Sequence, residues 1–378
     1  MVRIGILGGG QLGLMLLQSV QNIFDKKKIE SNIFFSILDP DKSAPCAIFP
    51  HFSVGNFNDY QTVMDFAENL DILTVEIEHV CVSALFDLEK KGKKVFPQAS
   101  VLQLIQDKGL QKEFYIKNKI PTASFSLVNE ACNISPDSFP CVQKLRLGGY
   151  DGKGVKILKN KNEERLIGPC VIEEMIDLQK EIAVIVARNL KGEMKVFPTV
   201  ELTYNSKANL VDYLFSPAHI TLAQEQTAQE IAKKVAENLG IVGTLAVEMF
   251  LTKKGDILVN ECAPRPHNSG HHTIEACTTS QYEQHLRAIL DLPLGDTLQK
   301  TPALMFNILG PEHLQGEVSY SGMEFFQNKK DIFIHLYGKK ETKPYRKLGH
   351  VTILDDHKEE QLKKMQEVKQ KLSIFLSI

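Results

Sequence analysis

Two glutamates occupy matching positions on two predicted strands that flank a short turn. A hairpin that pairs Lys253 with Asp256 sets Glu248 directly opposite Glu261 when both strands are counted outward. Two facing carboxylates repel, which destabilises a sheet and raises one pKa. A divalent cation removes this conflict, and the amide oxygen of Asn260 adds a hard ligand, so the pattern favours Mg²⁺ bridging substrate phosphates. A register shifted by one residue, with one glutamate in solvent, is the alternative.

A glycine-rich segment, 148–154, follows the predicted strand that carries Lys144. It has four glycines in seven residues, so its backbone can fold N–H groups over phosphate oxygens and close as a lid. Lys144 and Lys153 supply positive charge, and Lys108 is a further candidate phosphate ligand. The pattern is not that of a Walker A loop. An ordinary glycine-rich hairpin, with Lys108 as a solvated helix residue, is the alternative.

An apolar strand is predicted across 170–176, and it ends in acidic residues. Glu173 and Glu174 lie within it, and Glu181 follows after a short connection. The backbone of such a strand can bind the edge of an adenine, and carboxylates can accept hydrogen bonds from ribose hydroxyls. An edge strand with solvated acids is the alternative.

The loop that follows the second strand of the hairpin is almost entirely polar. Arg265 can hold an anion through two parallel hydrogen bonds, and His267 or His271 can transfer a proton. A zinc site formed by the two histidines with Cys262 or Cys277 is one alternative, although the spacing fits no standard zinc pattern. A hydrogen-bonded loop that caps the next helix is the other alternative.

The first strand runs into a glycine motif. Gly8, Gly10 and Gly13 match G-x-G-x-x-G between a strand and a helix, and Asp39 ends the second strand, where an acid can bind ribose. A nicotinamide-dependent oxidoreductase is therefore a rival interpretation. A tight turn with close helix packing is the alternative, and the oxidoreductase interpretation leaves the downstream motifs unexplained.

Composition excludes several classes of protein. The chain has 378 residues, of which 43% are hydrophobic and 24% charged, so a sizeable core needs neither disulfides nor a structural metal. Its net charge of −2 argues against a protein that coats nucleic acid. The seven cysteines are odd in number and widely spaced, which is typical of a reducing cytoplasm. No apolar run reaches the roughly 18 residues that span a bilayer, and the N-terminus is interpreted as a first strand rather than a signal peptide.

The elements that position these residues form three parts. Residues 1–98 alternate strands and helices, which predicts a doubly wound parallel sheet of the α/β class. Residues 99–296 combine a helix near 99–119, short strands, the last of them across 194–200, and a long helix at 222–239, which predicts an α+β domain. Residues 297–378 predict a small β-rich C-terminal domain with a charged last helix.

The combination of motifs resembles the ATP-grasp superfamily, and within it the N5-carboxyaminoimidazole ribonucleotide synthetases. The resemblance covers nearly the whole chain. It rests on Ile6 to Gly13, Gln106-Asp107-Lys108 and the glycine-rich segment 148–154. It also rests on 247–250, on Asn260-Glu261, and above all on the run from Ala263 to Ala288, which is close to a signature of the family. The segments 336–339 and 346–350 fit its C-terminal part.

The resemblance implies a doubly wound N-terminal domain, a central ATP-grasp domain and a small β-rich C-terminal domain. It implies that ATP, bicarbonate and 5-aminoimidazole ribonucleotide give ADP, phosphate and the N5-carbamate through carboxyphosphate, in purine biosynthesis. ATP and Mg²⁺ would be the cofactors, and the small-molecule substrates the partners, with no nucleic acid and no membrane. A cytoplasmic homodimer is expected. Another ATP-grasp ligase of purine metabolism is the alternative.

The resemblance also implies roles for individual residues. Arg265, His267 and Lys153 would be catalytic, and Glu248 and Glu261 would hold the metal. The residues expected to contact ATP are Lys108, Lys144, Gly149, Tyr150, Asp151, Gly152, Lys153, Gly154, Val155, Glu173, Glu174, Met175, Ile176, Glu181, Tyr204, Asn260 and Glu261. The residues expected to contact the ribonucleotide or bicarbonate are Glu76, Tyr150, Asp151, Asn268, Ser269, Lys339, Arg346 and Lys347.

Two positions depart from the family pattern. Tyr204 stands in the region where the family often has a histidine that contacts ATP. His272 stands where the usual Gly-His-Trp-Thr sequence has tryptophan. The first change bears on the ATP site, and the second on packing beside the polar loop.

Overall fold

The structure is a computed structural model that describes residues 2–23, 33–130, 134–149, 154–205 and 210–377. It has the mixed α/β and α+β architecture that the sequence predicts. None of the described helices combines the length and the apolar character that crossing a membrane requires.

The N-terminal part is a parallel sheet covered by helices on both faces. Its strands are β1 (Val2–Leu7), β2 (Ile33–Asp39), β3 (Phe52–Val54), β4 (Ile72–Val75) and β5 (Lys94–Phe96), and its helices are α1 (Gln11–Ile23), α2 (Tyr60–Ala67), α3 (Val82–Lys90) and α4 (Ala99–Gln106). The strand order is β3-β2-β1-β4-β5. Ile4 and Ile6 of β1 are fully buried, as expected for a central strand with both faces covered. The short β3 was not predicted, because three residues are too few for an alternating pattern to indicate a strand.

The central part contains a small antiparallel sheet and most of a large one. The small sheet has β6 (Phe125–Val128), β7 (Cys141–Leu145), β8 (Val155–Leu158) and β9 (Cys170–Glu174), and helix α5 (Lys108–Lys117) precedes it. The large sheet begins with β10 (Leu178–Arg188), β11 (Met194–Val196), β12 (Val200–Asn205), β13 (Leu210–Ser216), β14 (Gly243–Thr252) and β15 (Ile257–Ala263). The helices here are α6 (Leu222–Leu239), α7 (Thr273–Ala276) and α8 (Gln281–Ile289).

Two predicted elements of the central part are divided in the structure. The single helix expected near 99–119 is interrupted at Asp107, whose carboxylate accepts hydrogen bonds from the backbone of Gly109 and Leu110 and so begins α5. The strand expected across 194–200 is divided into β11 and β12 around Pro198, which has no N–H group for the ladder. The interruption at Asp107 matters for function, because it places Lys108 at the start of α5.

The C-terminal part extends the same large sheet. Its elements are β16 (Ala303–Leu309), β17 (Gly316–Ser321), β18 (Ile332–Leu336), β19 (Glu341–Thr342), β20 (Lys347–Leu354), α9 (Lys358–Lys371) and β21 (Ser373–Leu376). The large sheet has the order β15-β14-β10-β12-β13-β16-β20-β18, with β11 paired to β10. Backbone hydrogen bonds therefore run from the two glutamates to the C-terminal strands without a break.

Candidate active site

The hairpin of β14 and β15 differs from the predicted one at its turn. The Thr252 N–H donates to the Asp256 carbonyl oxygen at 2.9 Å, so the ladder closes there. The predicted pairing of Lys253 with Asp256 is wrong by one residue. The reason is a three-residue loop that ends in Gly255, whose φ of 92° is the left-handed conformation that such a loop requires.

A β-bulge at Asn260 restores the alignment of the two glutamates. Met249 pairs with Val259, but the next pair is Glu248 with Glu261, so Asn260 is an extra residue on β15. A regular ladder would have set Glu248 opposite Asn260 instead. Because two residues of a bulged strand face one residue of the partner, both Asn260 and Glu261 are directed toward Glu248. The predicted opposition of the two carboxylates is present, but it depends on this bulge.

The two opposed carboxylates carry different charges. Burial and the neighbouring Glu261 raise the pKa of Glu248 to about 8. Burial acts on Glu261 as well, but the Lys108 and Lys144 ammonium groups outweigh it and lower the pKa of Glu261 to about 2. The Lys108 ammonium group contacts a Glu261 carboxylate oxygen directly. In the free protein at neutral pH, Glu248 therefore holds a proton that a cation bound between the two groups would displace.

A second buried carboxylate lies beside this pair. Glu173 of β9 is 2% exposed, and its oxygens lie 2.8 Å from the ammonium groups of Lys112 and Lys144. Burial raises the pKa of Glu173, but the two lysines lower it further than burial raises it. Lys144 also donates to the Asn260 amide oxygen at 2.6 Å. Lys144 thus connects the small sheet to the bulge of the large sheet.

The residues expected to contact the adenine and ribose lie along one rim. Glu174, Met175 and Ile176 follow the buried part of β9 and are exposed or half-buried. Glu181 of β10 accepts a hydrogen bond from the Tyr204 hydroxyl of β12. Burial raises the pKa of Glu181 despite this bond. Tyr204 is therefore beside an acid of the site, as its expected position requires.

The glycine-rich segment is described at its two ends. Gly149 precedes the gap, and Gly154 and Val155 follow it at the start of β8. The Gly154 carbonyl oxygen accepts a hydrogen bond from the Leu145 N–H at 2.8 Å, which closes the hairpin of β7 and β8. The predictions for the four residues between these ends lie outside the described residues, namely Tyr150, Asp151, Gly152 and Lys153.

Arg265 reaches across to the N-terminal part of the chain. Its guanidinium donates to both carboxylate oxygens of Glu78, at 2.5 and 3.0 Å. Burial raises the pKa of Glu78, but the charge and hydrogen bonds of Arg265 outweigh burial and lower it. The two-bond geometry expected of Arg265 is present, with an internal carboxylate as the partner. Glu78 lies just after β4, so the pair ties the polar loop to the parallel sheet.

His267 lies against the glutamate pair. Its Nε2 is 3.5 Å from a carboxylate oxygen of Glu248, and its Nδ1 is 2.9 Å from the Ser269 hydroxyl. Burial, together with the positive charges of Arg265 and Lys347, lowers the pKa of His267 to about 3. The Ser269 N–H also points at Nδ1, which leaves the ring proton on Nε2, toward Glu248. His267 is therefore a neutral imidazole at physiological pH.

Two further residues of the polar loop, Asn268 and His271, have internal partners. The Asn268 amide forms two reciprocal hydrogen bonds with the Asn307 amide of β16, at 2.8 and 3.1 Å. The His271 ring lies 2.8 Å from the Tyr282 hydroxyl. Among the described residues, no group of three histidine, cysteine, aspartate or glutamate side chains is arranged to hold a metal, so the zinc alternative has no support.

The N-terminal glycine motif binds carboxylates of its own chain. The Gly10 and Gly13 N–H groups donate to Glu76 at 2.7 and 2.6 Å, and the Gly9 N–H donates to Asp39 at 2.7 Å. A nucleotide phosphate would need these same donors, so the motif as it stands does not support the oxidoreductase interpretation. Glu76 accepts both bonds from the glycine turn, and burial raises its pKa; its contact with substrate stays a prediction.

Three cations predicted to bind the substrate phosphate lie around β20. The Lys339 ammonium donates to the Lys347 carbonyl oxygen at 2.7 Å. The positive charge of Lys347 opposes the rise in the pKa of Glu248 and contributes to the fall in the pKa of His267. Lys347 is therefore near both side chains. The charge of Arg346 acts on Asp41 near the end of β2. The cations therefore lie where the C-terminal strands approach the N-terminal part.

Comparison with known proteins matches all three parts of the chain. Residues 1–106 match the ribonucleotide synthetase preATP-grasp domain, 113–282 the ATP-grasp domain, and 303–364 the phosphoribosylaminoimidazole carboxylase C-terminal domain. The chain is 41% identical to N5-carboxyaminoimidazole ribonucleotide synthetase from Thermotoga maritima, whose crystal structure it matches with a TM-score of 0.90 over 100% of both chains. The chain belongs to the N5-carboxyaminoimidazole ribonucleotide synthetase family.

Two further members of this family extend the comparison. A structure of N5-carboxyaminoimidazole synthase from Aspergillus clavatus, in complex with ADP and 5-aminoimidazole ribonucleotide, is 31% identical with a TM-score of 0.82 over 98% of both chains. The chloroplastic phosphoribosylaminoimidazole carboxylase of Vigna aconitifolia is 39% identical over 93% of this chain. The chain spans 64% of the length of that plant relative. The predicted family, ATP-grasp enzyme class and fold are confirmed.

Two residues of this family site were not predicted from the sequence. Lys112 holds Glu173, and Glu78 holds Arg265. Lys112 lies four residues after Lys108 on α5, and this spacing places both lysines on one helix face. Glu78 lies two residues after Glu76, beyond the end of β4. The helix spacing could have indicated Lys112, but the Glu78 pair depends on residues 187 positions apart.

Proposed function

We propose that this chain carboxylates 5-aminoimidazole ribonucleotide with bicarbonate, consuming ATP and releasing ADP and phosphate. The observation that carries the proposal is the opposed pair of Glu248 and Glu261 beside Lys108 and Lys144. Family membership supports it, as does the relative that was crystallised with ADP and this ribonucleotide. The product would be N5-carboxyaminoimidazole ribonucleotide, an intermediate of purine biosynthesis.

Mg²⁺ would be held by Glu248 and Glu261. The fit rests on the chemistry of the donors: two opposed carboxylates and the amide oxygen of Asn260 are hard oxygen ligands. The raised pKa of Glu248 is the mark of a site whose second negative charge needs compensation. When bound, the metal would neutralise charge on the ATP phosphates during transfer.

ATP would lie between the small and the large sheet. Lys144 and Lys108 would neutralise phosphate oxygens, and Glu173 fixes Lys144 for that task. The exposed backbone after β9 would contact the adenine edge, and Glu181 would accept from the ribose hydroxyls.

The chemistry would proceed in two steps. A bicarbonate oxygen attacks the γ-phosphorus of ATP, so that carboxyphosphate forms and ADP leaves. The exocyclic amine of the ribonucleotide then attacks the carboxyl carbon; the new C–N bond forms as the C–O bond to phosphate breaks. The departing phosphate takes the amine proton, so the charges balance. Arg265 and neutral His267 would orient the reacting carboxyl group, and the cations around β20 would hold the ribonucleotide phosphate.

A coupled assay of ADP release tests this function. Turnover should require ATP, bicarbonate and 5-aminoimidazole ribonucleotide together, and formate should not replace bicarbonate. ADP release that depends on formate would instead identify another ATP-grasp ligase of purine metabolism. Mg²⁺ dependence is tested in the same assay with a chelator. A homodimer and a cytoplasmic location stay predictions, and the first is checked by light scattering in solution.

Glu261→Gln tests the metal assignment directly. We expect this variant to lose ATP turnover by at least about 100-fold, because the neutral amide removes the charge that would bind Mg²⁺. Glu164→Gln, on the 90% exposed Glu164 side chain, is the control that should keep wild-type turnover. Full activity of Glu261→Gln would refute the metal assignment.

A further inference from the structure

The side chain of Gln281, at the first position of α8, is fully buried and forms hydrogen bonds with the backbone of the polar loop. Its amide oxygen accepts a hydrogen bond from the His267 N–H at 2.8 Å, and its amide nitrogen donates to the His267 carbonyl oxygen at 2.7 Å. One side chain thus satisfies both backbone groups of the residue whose imidazole faces Glu248. These bonds replace the ladder partners that a strand residue would have.

Other bonds to His267 come from its own loop: its carbonyl oxygen also accepts from the Gly270 N–H at 3.0 Å, and Ser269 contacts its Nδ1. Pro266 precedes His267 and has no N–H group, and a short 3-10 turn begins only at Asn268. The direction of the imidazole depends on the backbone of its own residue, so a shift of that backbone moves Nε2 relative to Glu248. The Gln281 amide therefore controls a distance within the site without facing the site.

Gln281 is itself held rigidly. Its N–H donates to the Thr273 hydroxyl at 2.9 Å, and that hydroxyl donates to the Gly270 carbonyl oxygen at 2.6 Å. A Cβ atom added at Gly270 would lie 2.4 Å from the Gln281 amide oxygen. The loop passes so close to the amide that a side chain at this glycine would displace it.

We infer that Gln281 is a positioning residue for the carboxylation reaction, acting through the backbone of His267. This inference rests on the proposed function, because it assumes that His267 orients the reacting carboxyl group. The same glutamine-to-backbone geometry occurs elsewhere in the chain without any relation to the site. Gln284, one turn along α8, is fully buried and brackets Gly295 in the same way, at 2.6 and 3.0 Å. Gln284 therefore provides a matched control.

The experiment compares Gln281→Met with Gln284→Met at saturating ATP, bicarbonate and 5-aminoimidazole ribonucleotide. Each change removes the two buried hydrogen bonds that a glutamine of the same helix forms with a loop backbone, at similar volume, so we expect similar decreases in melting temperature. Only Gln281→Met should lose kcat, by about 10- to 100-fold, which is the effect of misplacing a group by about 1 Å. The KM for ATP should stay within about threefold of wild type, because the adenine and ribose contacts lie on other elements.

Gln281→Glu adds a readout that a purely structural role would not move. A protonated carboxyl group can accept from the His267 N–H and donate to its carbonyl oxygen, whereas a carboxylate repels that carbonyl. Activity of Gln281→Glu relative to wild type should therefore rise as the pH falls, and Gln284→Glu should show no such rise.

Four results separate the possible failures. Wild-type kcat in folded Gln281→Met overturns the inference, and so do equal activity losses in the two methionine variants. A pH-independent activity ratio for Gln281→Glu, with Gln281→Met active, also overturns it. If the wild-type chain itself forms no carbamate, the proposed function fails, and the structural comparison of the two glutamines is then unaffected.

Discussion

Glu248 and Glu261 are identical side chains that their neighbours drive to opposite protonation states. Glu261 is 40% exposed and touches an ammonium group, whereas Glu248 is 15% exposed and faces a second carboxylate and a neutral imidazole. The difference arises from position alone, because the residues sit directly across one ladder. The pair thus combines a protonated carboxyl group at Glu248 with an ion pair between Glu261 and Lys108.

Removing the Glu248 carboxyl should change how stability depends on pH. Its pKa rises from 4.5 to about 8 on folding, so between these values the folded state holds a proton that the unfolded state has lost. The contribution of Glu248 to the free energy of unfolding is fully present below pH about 4.5 and is lost as the pH rises toward 8. We expect the melting temperature of the wild type minus that of Glu248→Gln to decrease over this range, as measured by thermal denaturation without nucleotide.

Glu237→Gln, on the exposed face of α6, is the control for this measurement. The melting temperature of the wild type minus that of Glu237→Gln should be constant between pH 5 and pH 8, within about 1 °C. A Glu248→Gln difference that is also constant, or that increases with pH, would contradict the assignment of a proton to Glu248.

The ion pair of Arg265 and Glu78 should not tolerate lysine. Lysine offers a point charge instead of two parallel donors, so Arg265→Lys should cost about 2 kcal/mol of unfolding free energy and lower kcat by about tenfold. Urea denaturation and steady-state kinetics measure the two effects. Glu78→Gln should lower the free energy of unfolding by less in the Arg265→Lys variant than in the wild type. Strict additivity of the two changes would show that the pair is not coupled.

At the scale of elements, the break between α4 and α5 carries a functional residue. Asp107 caps α5 and also pairs with Arg146 at 2.6 and 2.8 Å. Burial raises the pKa of Asp107, but Arg146 and the capped N–H groups lower it by more. The cap begins the helix that presents Lys108 and Lys112 to the site, so the conformation at Asp107 sets the direction of both lysines.

Asp107→Ala should destabilise the protein and weaken ATP binding together. Loss of the cap costs about 1 kcal/mol, and loss of the ion pair adds to it, whereas Asp107→Asn should keep most of the cap. Asp59 caps α2 in the same way, accepting from the Thr62 N–H at 2.8 Å. Asp59→Ala should therefore lower stability in urea denaturation through loss of its cap alone, and leave the KM for ATP unchanged. An equal change in KM for both alanine variants would contradict the role of Asp107.

The hairpin shows how far sequence reasoning reaches at this scale. Alternation and turn residues predict two strands and bring Glu248 opposite Glu261. The family resemblance then implies that the two glutamates hold a metal. The bulge at Asn260 could not be predicted, because no glycine or proline marks it and a regular ladder has the same apolar pattern. The three-residue turn shifts the pairing of the strands by one residue from the predicted register, and the bulge shifts it back by one residue. The predicted pairing of the glutamates is therefore correct, although the register near the turn is not.

The contacts within the site were less predictable than the elements. In the alternative interpretation of the sequence, Glu173 is a solvated acid at the end of an edge strand. In the structure it is buried between two lysines. Glu76 is predicted to contact the substrate, and its carboxylate accepts two hydrogen bonds from the glycine turn that the sequence did not indicate. Each of these partners comes from a distant part of the chain, and spacing along one sequence contains no information on such pairs.

At the scale of the whole molecule, the large sheet joins the ATP-grasp and C-terminal parts. β13 pairs with β16 from Tyr213 to Ser216, and Phe215 packs in one buried cluster with Leu304 and Phe306. Such shared backbone bonds and shared core favour joint unfolding. The predicted boundary at 296/297 therefore falls between strands of a single sheet, and it stays a prediction about domain organisation.

Calorimetry of Met305→Ala tests this coupling. Met305 of β16 is fully buried beside Leu214 and Val200, so its truncation should cost about 2–4 kcal/mol. We expect the midpoint of the transition that ATP stabilises to fall by several degrees, since the ATP site shares the sheet. A new, separate transition at lower temperature, with the ATP-stabilised transition unmoved, would show that the C-terminal part unfolds independently.

The contact between Lys108 and Glu261 has a consequence for the order of events in the site. The Lys108 ammonium group supplies beside Glu261 the positive charge that a magnesium ion would supply in the proposed site. With such an ion held by Glu261, the Lys108 ammonium group would pair with the triphosphate of the nucleotide instead. Lys108 would thus exchange one anion for another, and nucleotide and metal would load the cleft more readily together than either does alone.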